Sequence, residues 1–358
     1  MSGANAVEPK ARSSEVHALL DEAPAVDLHA DTPLLTRWGY RLAVRHRPPF
    51  GWRSPLGHLD LPRMEEGGLW AQFFGLVTIP WITRELARRC HGRIDAFARE
   101  IAANRGRIRP CVSAEDVRMA QRQGVRAALL GIEGAHALEG RIENLRAFAA
   151  RGVRYLGLLH FSRSEVGFPA FGFGRDDARG LTSFGREVVE ACGELGVIVD
   201  LAHSNRRGFF EAIDCARDPV IVSHTGVAVV NPHWRNIDDE QIRAVARKGG
   251  VIGIIFAAGF LGGDTIEAVV RHVRHVIDVG GEDVPALGSD FDGLVVPPRG
   301  LPDVTGLPGL VEALLRSGLP SETVLKIAGR NALRVLEAVP PRAAKKTAVD
   351  AAHPFALG

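Results

Sequence analysis

Cysteine is scarce in this sequence, and no Cys-x-x-Cys pair occurs. The four cysteines lie far apart in the chain, at Cys90, Cys111, Cys192 and Cys215. This spacing gives no disulfide framework, so we expect buried, unreactive thiols in a reducing compartment.

Long apolar segments and an excess of one charge are also missing. No uninterrupted apolar stretch approaches the roughly 20 residues of a membrane-spanning helix, and the amino-terminal segment has no apolar signal-peptide region. The 44 Lys and Arg residues nearly balance the 42 Asp and Glu residues, which is not the charge pattern of a nucleic-acid-binding protein. P-loop and Gly-x-Gly-x-x-Gly motifs are absent. We therefore predict a cytoplasmic protein with neither a nucleic-acid nor a membrane partner.

Apolar runs of strand length recur along the 358 residues, and we count about eight of them. They are nearly continuously apolar, as expected of parallel strands that are covered on both faces. In chain order the runs are AVDLHA, LWAQFFGLV, AALLGIEG, RYLGLLHF, GVIVDLAH, PVIVSH, GVIGIIF and PALGSDF.

Segments with helical periodicity lie between these runs, and several close on glycine, the usual helix stop. They include RIDAFAREIAANRG, IENLRAFAARG, FGREVVEACGELG, DDEQIRAVARKGG and TIEAVVRHVRHVIDVGG. A strand followed by a helix, repeated about eight times, is typical of a (β/α)8 barrel of the TIM type, an α/β fold. A doubly wound open sheet is the alternative.

The domain organisation that we predict is one catalytic barrel over residues 21–338. An amino-terminal extension, 1–20, precedes it, and a tail poor in core-forming residues, 339–358, follows it. Two irregular insertions, near 37–69 and 164–184, are expected at the barrel mouth, because long loops in compact domains are usually functional.

Ionisable side chains stand at the ends of six of the apolar runs. In VDLHADTPLL, His29 and Asp31 are two residues apart, so on a strand they project to the same side. The other runs end with Glu133, His160, His203, His224 and Asp290. In a barrel the carboxyl ends of all strands meet at one rim, where the active site lies.

Each of these residues has an ordinary structural interpretation when it is taken alone. A single histidine at a strand end is more often hydrogen-bonded than a metal ligand, and a single glutamate often caps the following helix. The seven together are harder to explain in this way, since burying so many ionisable groups without a partner is costly. Four histidines with several carboxylates fit two metal ions better than one, with a bridging carboxylate and a shared water or hydroxide.

Seven motifs in order resemble the renal or membrane dipeptidase family, peptidase family M19, of the amidohydrolase superfamily. They run from about Val26 to about Leu336: VDLHADTPLL, GIEGAHAL, RYLGLLHFSRS, GVIVDLAHSN, PVIVSHTGV, NPHWRNIDDEQIRAVARKGGVIGI and LGSDFDG, with GRNALRVLE at the closing helix. The resemblance implies a zinc-dependent dipeptidase on a (β/α)8 barrel, with a small dipeptide as substrate. The absence of a signal segment suggests a bacterial-type cytoplasmic member, and the family also allows a homodimer.

The resemblance further implies a role for each residue. His29 and Asp31 would bind one zinc ion, His203 and His224 the other, and Glu133 would bridge both. His160 would bind the substrate and polarise its carbonyl group, Arg235 would bind its carboxylate, and Asp290 would transfer the proton. Asp292 is the alternative carboxylate. The substrate would be a free L-Xaa-L-Xaa or L-Xaa-D-Xaa dipeptide.

Two alternatives to this function stay open at the level of sequence. The first keeps the metal ions but acts on another small amide, an N-acyl-D-amino acid or a lactone. The second is a non-catalytic small-molecule-binding barrel. Four further histidines are expected outside the metal site: His136 near the cleft, His233, and the helical pair His272 and His275 on a solvated face.

Overall fold

The computed structural model describes residues 9–36, 38–80 and 84–342, with side chains from residue 16 onward apart from residue 52. The parts of the predicted extension and tail at 1–8 and 343–358 lie outside these ranges.

Eight parallel strands form a closed barrel, which confirms the predicted fold class. The strand Ala25–Ala30 pairs with Leu69–Val77 on one side and with Pro285–Leu287 on the other. The barrel is closed further round by pairing of Leu69–Val77 with Arg126–Glu133. Each of the eight predicted runs overlaps one strand of this barrel. The strands are β1 (Ala25–Ala30), β2 (Leu69–Val77), β3 (Ile108–Pro110), β4 (Arg126–Glu133), β5 (Val153–Gly157), β6 (Ile198–Asp200), β7 (Ile221–Thr225), β8 (Val251–Ile254) and β9 (Pro285–Leu287).

Strand β3 is an addition that the sequence pattern did not predict. Its three residues pair with the start of β4, at the end of the barrel opposite the strand carboxyl ends. A three-residue strand carries too little periodicity to be recognised from sequence.

Helices cover the outside of the barrel. Each of the five predicted segments overlaps one helix, and GRNALRVLE covers all but the last residue of the closing helix. The helices are α1 (Pro9–Glu22), α2 (Pro33–Thr36), α3 (Leu61–Glu66), α4 (Leu86–Ala103), α5 (Ala114–Arg122), α6 (Ile142–Ala150), α7 (Ser183–Leu195), α8 (Arg206–Cys215), α9 (Asp239–Arg247), α10 (Ala258–Leu261), α11 (Ile266–Gly280), α12 (Leu307–Arg316), α13 (Ser321–Leu325) and α14 (Asn331–Ala338). In the described part of the chain, none is long and apolar enough to cross a membrane.

The apolar core has two parts that leave only one end of the barrel open. The larger part lies between the strands and the outer helices. The smaller part fills the barrel interior, including Phe73 and Tyr155, and continues onto residues of α5 and α14 at the amino ends of the strands. Because these helices pack against that end, the opposite rim is the one available for a site.

The first insertion is less irregular than the sequence suggested. Residues 38–60 are mostly irregular, but Leu61–Glu66 forms helix α3. The Asp60 side chain begins this helix by accepting a hydrogen bond from the backbone N–H of Arg63, the usual role of an N-cap aspartate. The second insertion forms most of the loop between β5 and α7, residues 158–182.

Candidate active site

The seven strand-end residues predicted from the sequence all lie around the carboxyl rim of the barrel. His29 and His224 belong to β1 and β7, and Glu133 is the last residue of β4. The other four follow their strands in the chain. All seven are buried or nearly so. Groups of candidate ligand atoms form three overlapping sets within the described residues: His29, Asp31 and Glu133; Glu133, His203 and His224; and His29, His224 and Asp290.

Glu133 belongs to two of these sets through different oxygen atoms. Its Oε2 lies 3.7 Å from Nε2 of His29. Its Oε1 lies 2.9 Å from Nε2 of His203 and 3.6 Å from Nε2 of His224. The carboxylate therefore stands between two groups of ligands, one on each side.

Three carboxylates crowd around His29. Its Nε2 lies 3.5 Å from Oδ1 of Asp31 and 3.8 Å from Oδ1 of Asp290, in addition to the Glu133 contact. Burial raises the pKa of Asp290 to about 8, and burial together with the charge of Asp31 raises the pKa of Glu133. Burial disfavours the charged form of His29, but the charges of Glu133 and Asp31 outweigh it and raise its pKa to about 10. Such a concentration of buried negative charge favours a cation.

Unpartnered buried atoms give a direct test of whether these residues suit a metal. Nε2 of His29, Oδ1 of Asp31 and Oε2 of Glu133 are buried without a hydrogen-bond partner among the described residues. Gly75 on β2 leaves the space that this set needs, because a Cβ there would lie 2.6 Å from Oδ1 of Asp31. Imidazole and carboxylate ligands suit zinc and similar divalent ions. The residues therefore fit a divalent metal.

Hydrogen bonds on the far side of two histidines direct their Nε2 atoms into the site. Nδ1 of His29 lies 2.6 Å from the hydroxyl of Tyr155. Nδ1 of His224 lies 2.9 Å from the hydroxyl of Ser223, which itself donates to Asp200 over 2.7 Å. Such partners fix the tautomer and the ring orientation of metal-binding histidines.

The remaining two histidines at the rim, His160 and His203, are held neutral. Burial lowers the pKa of His160 to about 3 and lowers that of His203. Nε2 of His160 lies 3.6 Å from Oε1 of Glu133, so this side chain borders the candidate ligands.

Arg235 approaches the site from the loop after β7. Its guanidinium group is buried, and one nitrogen donates to the backbone carbonyl of His224 over 2.8 Å. Burial lowers the pKa of Arg235, while the charges of Asp290 and Glu133 favour its cationic form. Arg235 is therefore a cation at the edge of an anionic cluster.

Asp290 and Asp292 have different surroundings. Asp290 contacts His29, whereas Asp292 accepts hydrogen bonds from the Thr32 hydroxyl and the backbone N–H of His58. Strand β9 ends at Leu287, so strand alternation does not govern either residue. Both have positive φ angles, +60° and +67°, in the left-handed region.

The further histidines that the sequence predicted outside the metal site belong to none of the three candidate ligand sets among the described residues. His136 is buried beside the hydroxyl of Ser162, and His275 pairs with Asp239. The expectation for His272 is wrong, because this residue is fully buried. Its Nδ1 accepts from the backbone N–H of Val227, and its Nε2 contacts the carbonyl of Leu261. It therefore joins the loops that follow β7 and β8.

Sequence reasoning missed Tyr155, Ser223 and Asp200, which support the histidines from within the barrel. Asp200 could have been noticed, because it interrupts the apolar run GVIVDLAH. A buried aspartate within a strand needs hydrogen-bond partners. Tyr155 gave no such signal, because an aromatic residue is ordinary in a strand.

Comparison with known proteins identifies the family. The model of the membrane dipeptidase family, peptidase family M19, matches residues 13–349. The chain belongs to this family. As a member, it is a metal-dependent dipeptidase, a hydrolase of peptide bonds, and the resemblance predicted from the motifs is confirmed.

Individual relatives agree with this placement. A protein of Claviceps purpurea (strain 20.1) named dipeptidase tcpJ is 34% identical over 303 residues, which are 81% of this chain and 71% of that protein. The crystal structure of dipeptidase AC, an M19 metallopeptidase, is similar with a TM-score of 0.79 and 30% identity, covering 88% of this chain and 98% of that chain. A Rhodobacter sphaeroides metallopeptidase, solved with a phosphinate mimic of L-Ala-D-Ala, has a TM-score of 0.76 and 29% identity, covering 88% and 99%.

Proposed function

We propose that this dipeptidase holds two zinc ions, one between His29 and Asp31 and the other between His203 and His224, with Glu133 shared by both. The observation that carries this proposal is the position of Glu133, whose two carboxylate oxygens face different ligand groups. The unpartnered atoms of His29, Asp31 and Glu133 support it further. Bound zinc would supply Lewis-acid chemistry, acidifying a water molecule and polarising the peptide carbonyl group.

His160 is proposed to bind the scissile carbonyl group. A buried imidazole whose pKa is lowered to about 3 stays neutral near pH 7, so it can donate one hydrogen bond without carrying charge. This donor would stabilise the negative charge that develops on the carbonyl oxygen.

Asp290 is proposed to move the proton. Burial raises the pKa of Asp290, and a carboxyl group at this position can accept a proton in one step and release it in the next. It would take the proton from the attacking water and give it to the leaving amine. Oδ1 of Asp290 lies 3.8 Å from Nε2 of His29, beside the candidate ligands.

Arg235 is proposed to bind the free carboxylate of the carboxyl-terminal residue. A guanidinium group presents several N–H donors in one plane and matches a carboxylate. Its bond to the carbonyl of His224 holds it next to the site. A substrate without this carboxylate would make no use of it.

We propose free L-Xaa-L-Xaa and L-Xaa-D-Xaa dipeptides as substrates, and the L-Ala-D-Ala mimic bound by the Rhodobacter sphaeroides relative supports tolerance of a D-residue. The test is hydrolysis of L-Ala-L-Ala, L-Ala-D-Ala and N-acetyl-D-Ala by zinc-loaded protein, with Glu133→Gln as the inactive control. We expect turnover of the two dipeptides that is lost in the control. Turnover of the acetylated compound alone would instead support the alternative amide substrate.

A second measurement examines the carboxylate contact. Arg235→Ala is expected to raise KM for L-Ala-L-Ala with a smaller change in kcat, because the contact is made in the ground state as well as the transition state. An unchanged KM would contradict the role of Arg235.

We also propose a cytoplasmic location and a homodimer. The four free thiols support a reducing compartment. Light scattering of the purified protein would test the dimer, and a mass equal to that of one chain would refute it.

A further inference from the structure

Aromatic rings extend from the candidate active site to the surface of the rim. The ring of Phe161 has its centre 4.4 Å from that of His160 and 5.0 Å from that of His203. Farther out, Phe171 and Trp234 stack with ring centres 4.0 Å apart. Phe161 meets both of them edge-on, at 6.5 and 6.3 Å. We call Phe161, Phe171 and Trp234 the aromatic wall.

Two separate loops build this wall. Phe161 and Phe171 come from the loop after β5, and Trp234 comes from the loop after β7. Phe171 is 44% exposed and Trp234 is 40% exposed, so the stacked pair leaves apolar surface open to solvent. Exposed aromatic surface beside a site usually serves binding.

Backbone contacts hold the wall in place without burying its outer rings. The N–H of Ala170 donates to the carbonyl of His203 over 2.8 Å, and the N–H of Phe173 donates to the carbonyl of Phe161 over 2.9 Å. Gly172 allows the chain to double back here: its φ is +108°, and a Cβ would lie 2.0 Å from the carbonyl oxygen of Phe161. The position of Phe171 is therefore set by the loop, which leaves its ring free to contact a ligand.

The position of Trp234 in the chain indicates which part of a dipeptide would reach the wall. Trp234 immediately precedes Arg235, the residue proposed to bind the substrate carboxylate. In a dipeptide, the carbon that bears this carboxylate also bears the side chain of the carboxyl-terminal residue. Binding at Arg235 therefore brings that side chain, and not the amino-terminal one, toward the loop that carries Trp234.

We propose that the aromatic wall is the subsite for the carboxyl-terminal side chain and selects dipeptides in which this side chain is large and apolar, above all aromatic. Offset and edge-on ring contacts favour an aromatic ligand over a small one. This inference rests on the proposed dipeptidase function and on the role of Arg235.

The experiment compares kcat/KM for L-Ala-L-Ala, L-Ala-L-Phe and L-Phe-L-Ala in the zinc-loaded full chain. The wild type should prefer L-Ala-L-Phe to L-Ala-L-Ala. In Trp234→Ala and Phe171→Ala this preference should fall about ten-fold, while Trp234→Phe keeps most of it. The ratio of L-Phe-L-Ala to L-Ala-L-Ala should not change.

Phe173→Ala is the matched control, because Phe173 is on the same loop and is 84% exposed. It should keep the wild-type preference, and an equal loss there would mean that loop order, not the wall, determines selectivity. A wild type without preference for L-Ala-L-Phe would overturn the subsite, as would a change confined to L-Phe-L-Ala. If the wall variants changed only the oligomeric mass, the aromatic wall would be a contact between copies of the chain, and the subsite would likewise be overturned. Failure to hydrolyse L-Ala-L-Ala at all would instead overturn the proposed dipeptide substrate, on which the subsite depends.

Discussion

The hydroxyl of Tyr155 lies 2.6 Å from Nδ1 of His29, beneath the cluster of three carboxylates. Both groups are fully buried, so water cannot replace either partner. With Nδ1 engaged by the hydroxyl, Nε2 of His29 faces Asp31 and Glu133. The tyrosine therefore fixes the orientation of a candidate metal ligand from inside the barrel.

Tyr155→Phe should weaken zinc binding about ten- to hundred-fold, because it removes a hydrogen bond that orients a ligand. Competition with a chromogenic chelator measures this affinity without an activity assay. Tyr40→Phe is a matched control, since Tyr40 is the only other tyrosine in the chain and its hydroxyl donates to the carbonyl of Leu59. Equal zinc affinity in wild type and Tyr155→Phe would show that the ring needs no such support.

Gly131→Ala should lower the free energy of unfolding by about 3 kcal/mol relative to the wild type. A Cβ at this position on β4 would lie 1.9 Å from Cζ of Tyr155, so the tyrosine ring would have to move. Gly92→Ala is the control: this glycine lies in α4, and a Cβ there meets nothing within 4 Å. We expect Gly92→Ala to be neutral or about 1 kcal/mol more stable, and urea denaturation compares the two. Similar stability in both variants would contradict the close packing of Tyr155 on Gly131.

His272 should make stability depend on pH. Burial lowers its pKa from 6.5 to about 4, so the unfolded chain binds the proton more readily than the folded chain does. Its stabilising contribution is therefore complete above about pH 6.5 and is lost as the pH falls toward 4. Between pH 7 and pH 4 the wild type should lose about 3 kcal/mol more unfolding free energy than His272→Gln. Parallel stability curves for the two proteins would rule this out.

One thiol should react in the native protein. Cys90, Cys111 and Cys192 are buried, and burial raises the pKa of each to about 12. Cys215 is partly exposed, so Ellman's reagent should label one thiol per chain before unfolding and four afterwards. Cys215→Ser should abolish the native reaction, and labelling of a second native thiol would disagree with this burial.

Site residues could be predicted from the sequence where the residue and its immediate neighbours were enough to identify a strand end. Glu133 and His224 end long apolar runs, and strand length and parallel pairing then place both at one rim. The support for these residues could not be predicted, because Tyr155 is 126 positions from His29 and no local pattern joins them. His272 was misassigned for the same reason: α11 is apolar on one side, but the loops after β7 and β8 also cover His272. Contacts made by loops depend on the whole fold, so periodicity within one helix does not reveal them.

Left-handed backbone conformations at the rim lower the stability of the fold at residues of the candidate site. The φ angles of His203, Asp290 and Asp292 are +64°, +60° and +67°. This conformation costs a residue other than glycine about 1 kcal/mol or more. Glycine at Asp290 would relieve that backbone strain while deleting the proposed proton carrier. Selection for heat resistance alone would therefore favour loss of the residues on which the proposed chemistry depends. Evolution toward a more robust enzyme would have to find its gains elsewhere, in the helices and in the closed end of the barrel.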